Sequence, residues 1–266
     1  PYLYKYLVNT EASTKGNLAE VLRGMVPEEL PWSSLYIVFA GLSFLFLVYV
    51  FFNKYPKFEK KEDEKSGDGS TYLDLLKNKW TLFYFFGIFC YVGTEQGVGN
   101  WISQFLYQYH GYDPKTIGAD TVSYFWAMLT FGCILGLLLL KFIDSRKILI
   151  FSTLITIISL IASLLGSAEF ALIGFPIVGF CISVMYSIIF SLALNSVKEH
   201  HGSLSGILCT GIAGGAVFPF IVGGLGEMMD LRTGMFFLII PLIFILTIGF
   251  FSKPLVNNKT IRFNKA

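Results

Sequence analysis

Long apolar runs separated by short polar clusters fill most of the chain, and their lengths decide its class. Residues 34–52, 80–106, 121–140, 148–165, 170–195, 203–226 and 234–251 are each apolar enough to read as one helix. About 20 such residues carry a helix across a hydrocarbon layer of roughly 30 Å. The seven runs predict an all-α integral membrane protein with seven spans. The alternation of a membrane barrel is absent. The runs at 80–106 and 170–195 hold the most polar residues, so their limits are the least sharp.

The segments between them set the organisation. Residues 1–31 are polar, with Pro27 and Pro31 ahead of the first span at 32–52. Residues 53–79 form a charge-dense linker containing Ser66-Gly-Asp-Gly-Ser70, a tether-like composition. At its end Tyr72, Leu75 and Leu76 stand at i, i+3 and i+4, the spacing of a short amphipathic helix on the membrane surface. Residues 80–252 hold six spans, and 253–266 form a tail.

The six spans divide into two sets of three. The second of each set is glycine-rich, with Gly132 and Gly136 in one and Gly206, Gly211, Gly214, Gly215, Gly223 and Gly224 in the other. The first of each set is the more polar. Sets of three must enter the bilayer from opposite sides, as in the inverted repeats of secondary transporters.

Composition agrees with lipid as the solvent: 54% of residues are hydrophobic and 14% charged, with a mean hydropathy of +0.63. The net charge of +2 changes little, but its placement does. With alternating spans, the lysine-rich linker, the Lys141–Lys147 turn, Lys198 and the tail all fall on one side. The other side holds only Lys5, Lys15, Arg23, Lys115 and Arg232. The positive-inside rule places the linker and C-terminus in the cytoplasm and residues 1–31 outside, in the cell membrane. The chain begins at Pro1 rather than Met, so an N-terminal part is expected to precede it.

Cys90, Cys133, Cys181 and Cys209 each sit alone in a span and read as packing residues. The spacing of the histidines, His110, His200 and His201, suits no metal site. No phosphate-binding loop, hydrolase elbow or zinc-protease motif occurs. The reading is therefore no enzyme, no cofactor, no metal and no nucleic-acid partner. In the Asp144-Ser-Arg-Lys147 turn, the aspartate is placed to cap the next helix.

Candidate chemistry concentrates in Tyr91-Val-Gly-Thr-Glu-Gln-Gly-Val-Gly-Asn-Trp101. A carboxylate in a spanning helix is costly, so Glu95 is expected to face protein or water. Desolvation disfavours its charged form, which suits proton exchange or hydrogen bonding to a polyhydroxylated ligand. Gln96, Asn100 and Ser103 follow at i, i+4 and i+7, with Gln104 four beyond Asn100, and make one polar stripe. Their amides and hydroxyls match sugar hydroxyls, and Trp101 offers a stacking face. Gly97 and Gly99 weaken the helix here, as do Gly132, Gly136, Gly214 and Gly215 in later spans. These glycines serve flexing or close helix packing, and Pro219 is expected to kink its span. Tyr186 and Asn195 are the corresponding candidates in the fifth span, with Phe190 a cavity wall.

Three stretches carry a resemblance. Phe89-Cys-Tyr-Val-Gly-Thr-Glu95, Ser187-Ile-Ile-Phe-Ser-Leu-Ala-Leu194 and Gly211-Ile-Ala-Gly-Gly-Ala-Val-Phe-Pro219 resemble helices seven, ten and eleven of the fucose/glucose/galactose permease branch of the major facilitator superfamily, in order and at matching spacing. The resemblance implies that residues 32–251 are helices 6–12 of a twelve-helix fold, lacking their N-terminal half. It implies proton-coupled sugar uptake by alternating access, with Glu95 and Gln104 as sugar contacts. The family's main proton-linked carboxylates lie on helices outside this chain. Many relatives have Gly-Arg in helix eight where this chain has Gly132-Cys133. Loss of that arginine bears on sugar identity and coupling. The competing readings are a major facilitator exporter of drugs or other amphiphiles and a seven-helix receptor. The receptor reading lacks the Asp-Arg-Tyr and Asn-Pro-x-x-Tyr signals.

Overall fold

Hydrophobic spans fold as helices because lipid offers no partner for a bare backbone group, and the structure follows that rule. The computed structural model describes residues 17–27, 29–54 and 69–256, all helical or irregular, with no strand among them. Residues 1–16, the charged stretch 55–68 and the tail beyond 256 lie outside the described residues. The chain divides into two units, residues 1–59 and 60–266.

The first unit holds α1 (Asn17–Gly24), a 3-10 turn (Pro31–Ser33) and α2 (Ser34–Phe52). Only Ser34 of α2 is buried, and its Oγ donates to the Pro31 carbonyl at 2.6 Å. An apolar surface on every side is what a lipid-facing helix requires.

The second unit begins with α3 (Gly69–Lys77) and α4 (Lys79–His110). The amphipathic helix expected at the linker's end is therefore present. Leu75 is buried, and α3 packs on α4 and on α9 (His201–Thr210). Helix α4 starts where the Asn78 side chain accepts from the Trp80 N–H. It ends at Gly111, whose φ of 69° is a left-handed conformation that glycine adopts freely. Its 32 residues extend about 48 Å, more than a span needs. Apart from α4, six helical stretches are long and apolar enough to cross a membrane. Helix α4 is the least apolar because it lies inside the bundle and carries the polar stripe.

The remaining spans are α5 (Ala119–Leu139), α6 (Ser145–Leu165), α7 (Ala168–Ile182) with α8 (Met185–Leu194), α9 with α10 (Gly214–Met228), and α11 (Leu231–Phe236) with α12 (Ile239–Phe251). Asp144 caps α6 as its position predicts, accepting from the Arg146 N–H at 3.0 Å.

The glycines of α4 do not break it. Each is instead filled by a neighbour: Leu238 at Gly97, Trp126 at Gly99 and Phe218 at Gly93. The breaks fall in the later spans. The α11–α12 break precedes Pro241, which has no N–H to donate back to Phe237. In the α9–α10 span the helix runs through Pro219, and the departure is the 3-10 turn at Gly211–Ala213.

Packing follows the two sets of three. Helix α5 lies along α7, and α10 along α4; α6 lies along α7, and α12 along α4; α6 meets α12, and α4 meets α8. Exchanging the two sets maps these pairs onto one another. The glycines make the close approaches possible. A Cβ at Gly132 would strike Ser183 Oγ and the Phe180 carbonyl, and one at Gly136 would strike Val184. In the other set, a Cβ at Gly214 would enter the Phe89 carbonyl.

Candidate functional site

Glu95 sits midway along α4, half-buried. Tyr91 stands one turn earlier on the same helix face and is buried. The neighbouring Gln96 amide donates to Glu95 Oε1 at 3.4 Å, a long contact. The Tyr91 ring is buried and meets Tyr186 of α8 at 5.8 Å with the planes 57° apart. Tyr186 stacks on Phe190 at 5.8 Å and 20°, and the Cys209 thiol of α9 lies near its hydroxyl. Cys133 of α5 lies close enough to Glu95 to interact electrostatically with it. The centre is thus a carboxylate, two phenols, an amide and two thiols, drawn from four spans.

A broken helix adds a polar group beside it. The helix stops at Ser183–Val184, between α7 and α8, and the Ser183 carbonyl accepts from Cys133 Sγ at 3.4 Å. Ser183 and Val184 keep right-handed helical angles, so the interruption lies in the hydrogen-bond ladder. A small cavity of about 170 Å³ lies here, between Cys133, Gly136, Ser183 and Ser187. A larger open cleft of about 580 Å³ follows α8, lined by Tyr186, Ser187, Phe190, Ser191, Asn195 and His201 among others. Neither cavity has a lysine or arginine in its lining.

The predicted stripe does not act as one set. Gln96 lies beside Glu95 and against Gly215, while Asn100 and Gln104 are exposed farther along α4. Ser103 turns away and donates to the Pro114 carbonyl at 3.3 Å. The Trp101 indole N–H donates to the Pro219 carbonyl at 3.1 Å, and its ring covers Gly223. Trp101 therefore joins α4 to α10.

Asn195 lies about 13 Å beyond Tyr186 at helical rise. Its side chain is paired with the backbone of Val256, donating to the carbonyl at 2.6 Å and accepting from the N–H at 3.2 Å. The structure thus gathers Glu95, Gln96 and Tyr186 and separates Trp101 from them, while Asn195 shares the large cleft with Tyr186 at its far end. Tyr91 and Cys209 are the residues that sequence reasoning passed over. Tyr91 stands four residues before Glu95, the spacing that puts two side chains on one helix face.

The family model described as Major Facilitator Superfamily matches residues 21–210 and 84–266. The chain belongs to the major facilitator superfamily. Within this superfamily it is 31% identical over 212 residues to a glucose/galactose transporter of Brucella abortus biovar 1 (strain 9-941), covering 76% of this chain and 48% of that protein. It is 26% identical over 201 residues to the glucose/mannose transporter GlcP of Bacillus subtilis (strain 168), covering 71% of this chain and 48% of that one. The chain spans about half the length of the curated relatives it matches. The crystal structure of the E. coli fucose:proton symporter superposes with a TM-score of 0.74 at 19% identity, over 95% of this chain and 63% of that one. The fold is therefore that of a major facilitator transporter, and the chain is a multi-pass membrane protein.

Proposed function

We propose that the whole gene product containing this chain is a proton-coupled importer of a hexose or deoxyhexose, and that this chain supplies helices 6–12 of a twelve-helix transporter. Its N-terminal half is the partner that closes the substrate path. The observation that carries the reading is the cluster of Glu95, Gln96 and Tyr91 on one stretch of α4, with the Tyr91 ring against Tyr186, at the middle of the bundle. Hydroxyl and amide groups there can donate and accept to a polyhydroxylated ligand. A cavity wall without lysine or arginine suits a neutral ligand better than an anion. Relatives named for glucose, galactose and mannose transport, and a neighbour in fold named as a fucose:proton symporter, point to the same substrate class. Localisation in the cell membrane with a cytoplasmic C-terminus follows from the positive-inside pattern. The protein does no covalent chemistry and takes no cofactor.

The test is uptake of labelled glucose, galactose and fucose by the whole protein in proteoliposomes, with and without an inward proton gradient. Gradient-dependent uptake of at least one sugar is expected, with Glu95→Gln lowering sugar affinity about tenfold, the scale of a hydrogen bond to a charged group. Unchanged uptake and affinity in that variant would remove Glu95 from the mechanism. One observation favours the exporter reading: the stacked Tyr186–Phe190 pair and Leu194 make part of the large cleft apolar. Competition by lipophilic cations, and none by sugars, would establish that alternative.

A further inference from the structure

We propose that Tyr91 is a positioning residue for Glu95, holding the carboxylate from one turn earlier on α4 and tying its orientation to the α7–α8 span through the Tyr186 ring. The proposal deepens the transporter reading and rests on it for the role given to Glu95. Three observations lead to it. Tyr91 and Glu95 stand at i and i+4, where side chains on one helix face meet. The Tyr91 side chain is 5% exposed, so its phenol has little freedom to turn to water. Its ring lies against Tyr186 at 5.8 Å, and Tyr186 in turn stacks on Phe190.

Glu95 needs such a partner. An ionised carboxylate has about four acceptor positions. Gln96 reaches it only at 3.4 Å, and among the described residues no salt bridge involves it. Cys133, its neighbour on α5, gives its hydrogen bond to the Ser183 carbonyl. Tyr91 is then the buried hydroxyl donor that stands one turn from it. The arrangement has a mechanical consequence. Any shift of α8 against α4 moves Tyr186, and Tyr186 bears on the ring that carries the Glu95 donor. The polar centre would register the relative position of the two three-helix sets.

The experiment uses the whole protein with Tyr91→Phe, which keeps the buried ring and removes the hydroxyl. Infrared difference spectroscopy, with Glu95→Gln to identify the Glu95 carboxyl band by its loss, reads the contact directly. Equilibrium binding of glucose, galactose and fucose reads its consequence. The Glu95 band is expected to shift in Tyr91→Phe, and sugar affinity to fall about tenfold, with the thermal midpoint unchanged. A merely structural role moves the midpoint and leaves the band where it is. An unmoved band overturns the proposal whatever the affinity does. Absence of binding to all three sugars by the unmodified protein overturns the sugar reading instead, and the band still decides the role of Tyr91. Should Tyr91→Phe fail to fold, Tyr186→Phe supplies the second arm. It keeps the ring against Tyr91 and removes the hydroxyl near Cys209, so the Glu95 band should stay in place; a shift there would assign the positioning to Tyr186 and overturn the proposal for Tyr91.

Discussion

Trp101 stands six residues after Glu95 in a polar-aromatic stretch, and on the sequence alone its ring is a natural stacking surface for a sugar. Its indole N–H instead reaches the Pro219 carbonyl, 118 residues away. Trp101→Phe keeps most of the ring and loses that donor. We expect a loss of about 1 kcal/mol of stability, the net worth of one such bond, seen as a lower thermal midpoint in detergent with sugar affinity unchanged. A fall in affinity at constant stability would return Trp101 to the binding site. The contrast with Asp144 is instructive. Its partner, the Arg146 N–H, is two residues away, so the cap could be read from the sequence. Nothing local marks Pro219 as the acceptor for Trp101.

Helix contacts in this bundle depend on missing side chains. Gly214→Ala would drive a Cβ into the Phe89 carbonyl, and Gly224→Ala would meet nothing within 4 Å. Overpacking of this kind costs about 1–3 kcal/mol. The first substitution should therefore lower the thermal midpoint sharply and the second leave it unchanged or slightly raised; equal effects would deny the close α4–α10 contact its role. A second element-scale contact joins α8 to the segment after α12, where the Asn195 side chain pairs with the Val256 backbone and the Asn195 backbone carbonyl separately accepts from the Leu255 N–H at 2.8 Å. Asn195→Ala should release that segment, read as faster proteolytic cleavage near residue 256 with α12 intact.

The cap of α11 responds to pH. The Thr233 N–H donates to Asp230 at 2.6 Å and holds the exposed carboxyl below its ordinary value of 3.8. A depressed folded-state value contributes stability that is present above 3.8 and lost as the pH falls through the lower folded value. The stability difference between the unmodified protein and Asp230→Ala should accordingly narrow below about pH 3.8. A difference independent of pH would assign the cap to geometry alone.

At the scale of the whole molecule, the two three-helix sets pack as counterparts, and the polar centre lies where their first spans meet. The chain spans about half the length of its curated relatives. Expressed alone it should carry no sugar uptake, and co-expression with the N-terminal half should restore it. Uptake by the 266-residue chain alone would overturn the twelve-helix reading.

The sequence by itself determined the membrane class, the six-span core and the two sets of three, because span length and apolar composition are set by the thickness of the solvent. It also marked Glu95, because a charge in lipid is costly wherever it occurs. The tertiary structure alone decided which polar residues share one centre. Helical spacing places Gln96, Ser103 and Trp101 relative to one another, but each turns to a different neighbour: Glu95 and α10 for Gln96, the Pro114 turn for Ser103, and Pro219 for Trp101. It also moved the helix breaks out of α4, since a glycine filled by a neighbour's side chain becomes a packing site, whereas Pro241 cannot donate to the Phe237 carbonyl, which the Ile240 N–H takes in a tighter turn.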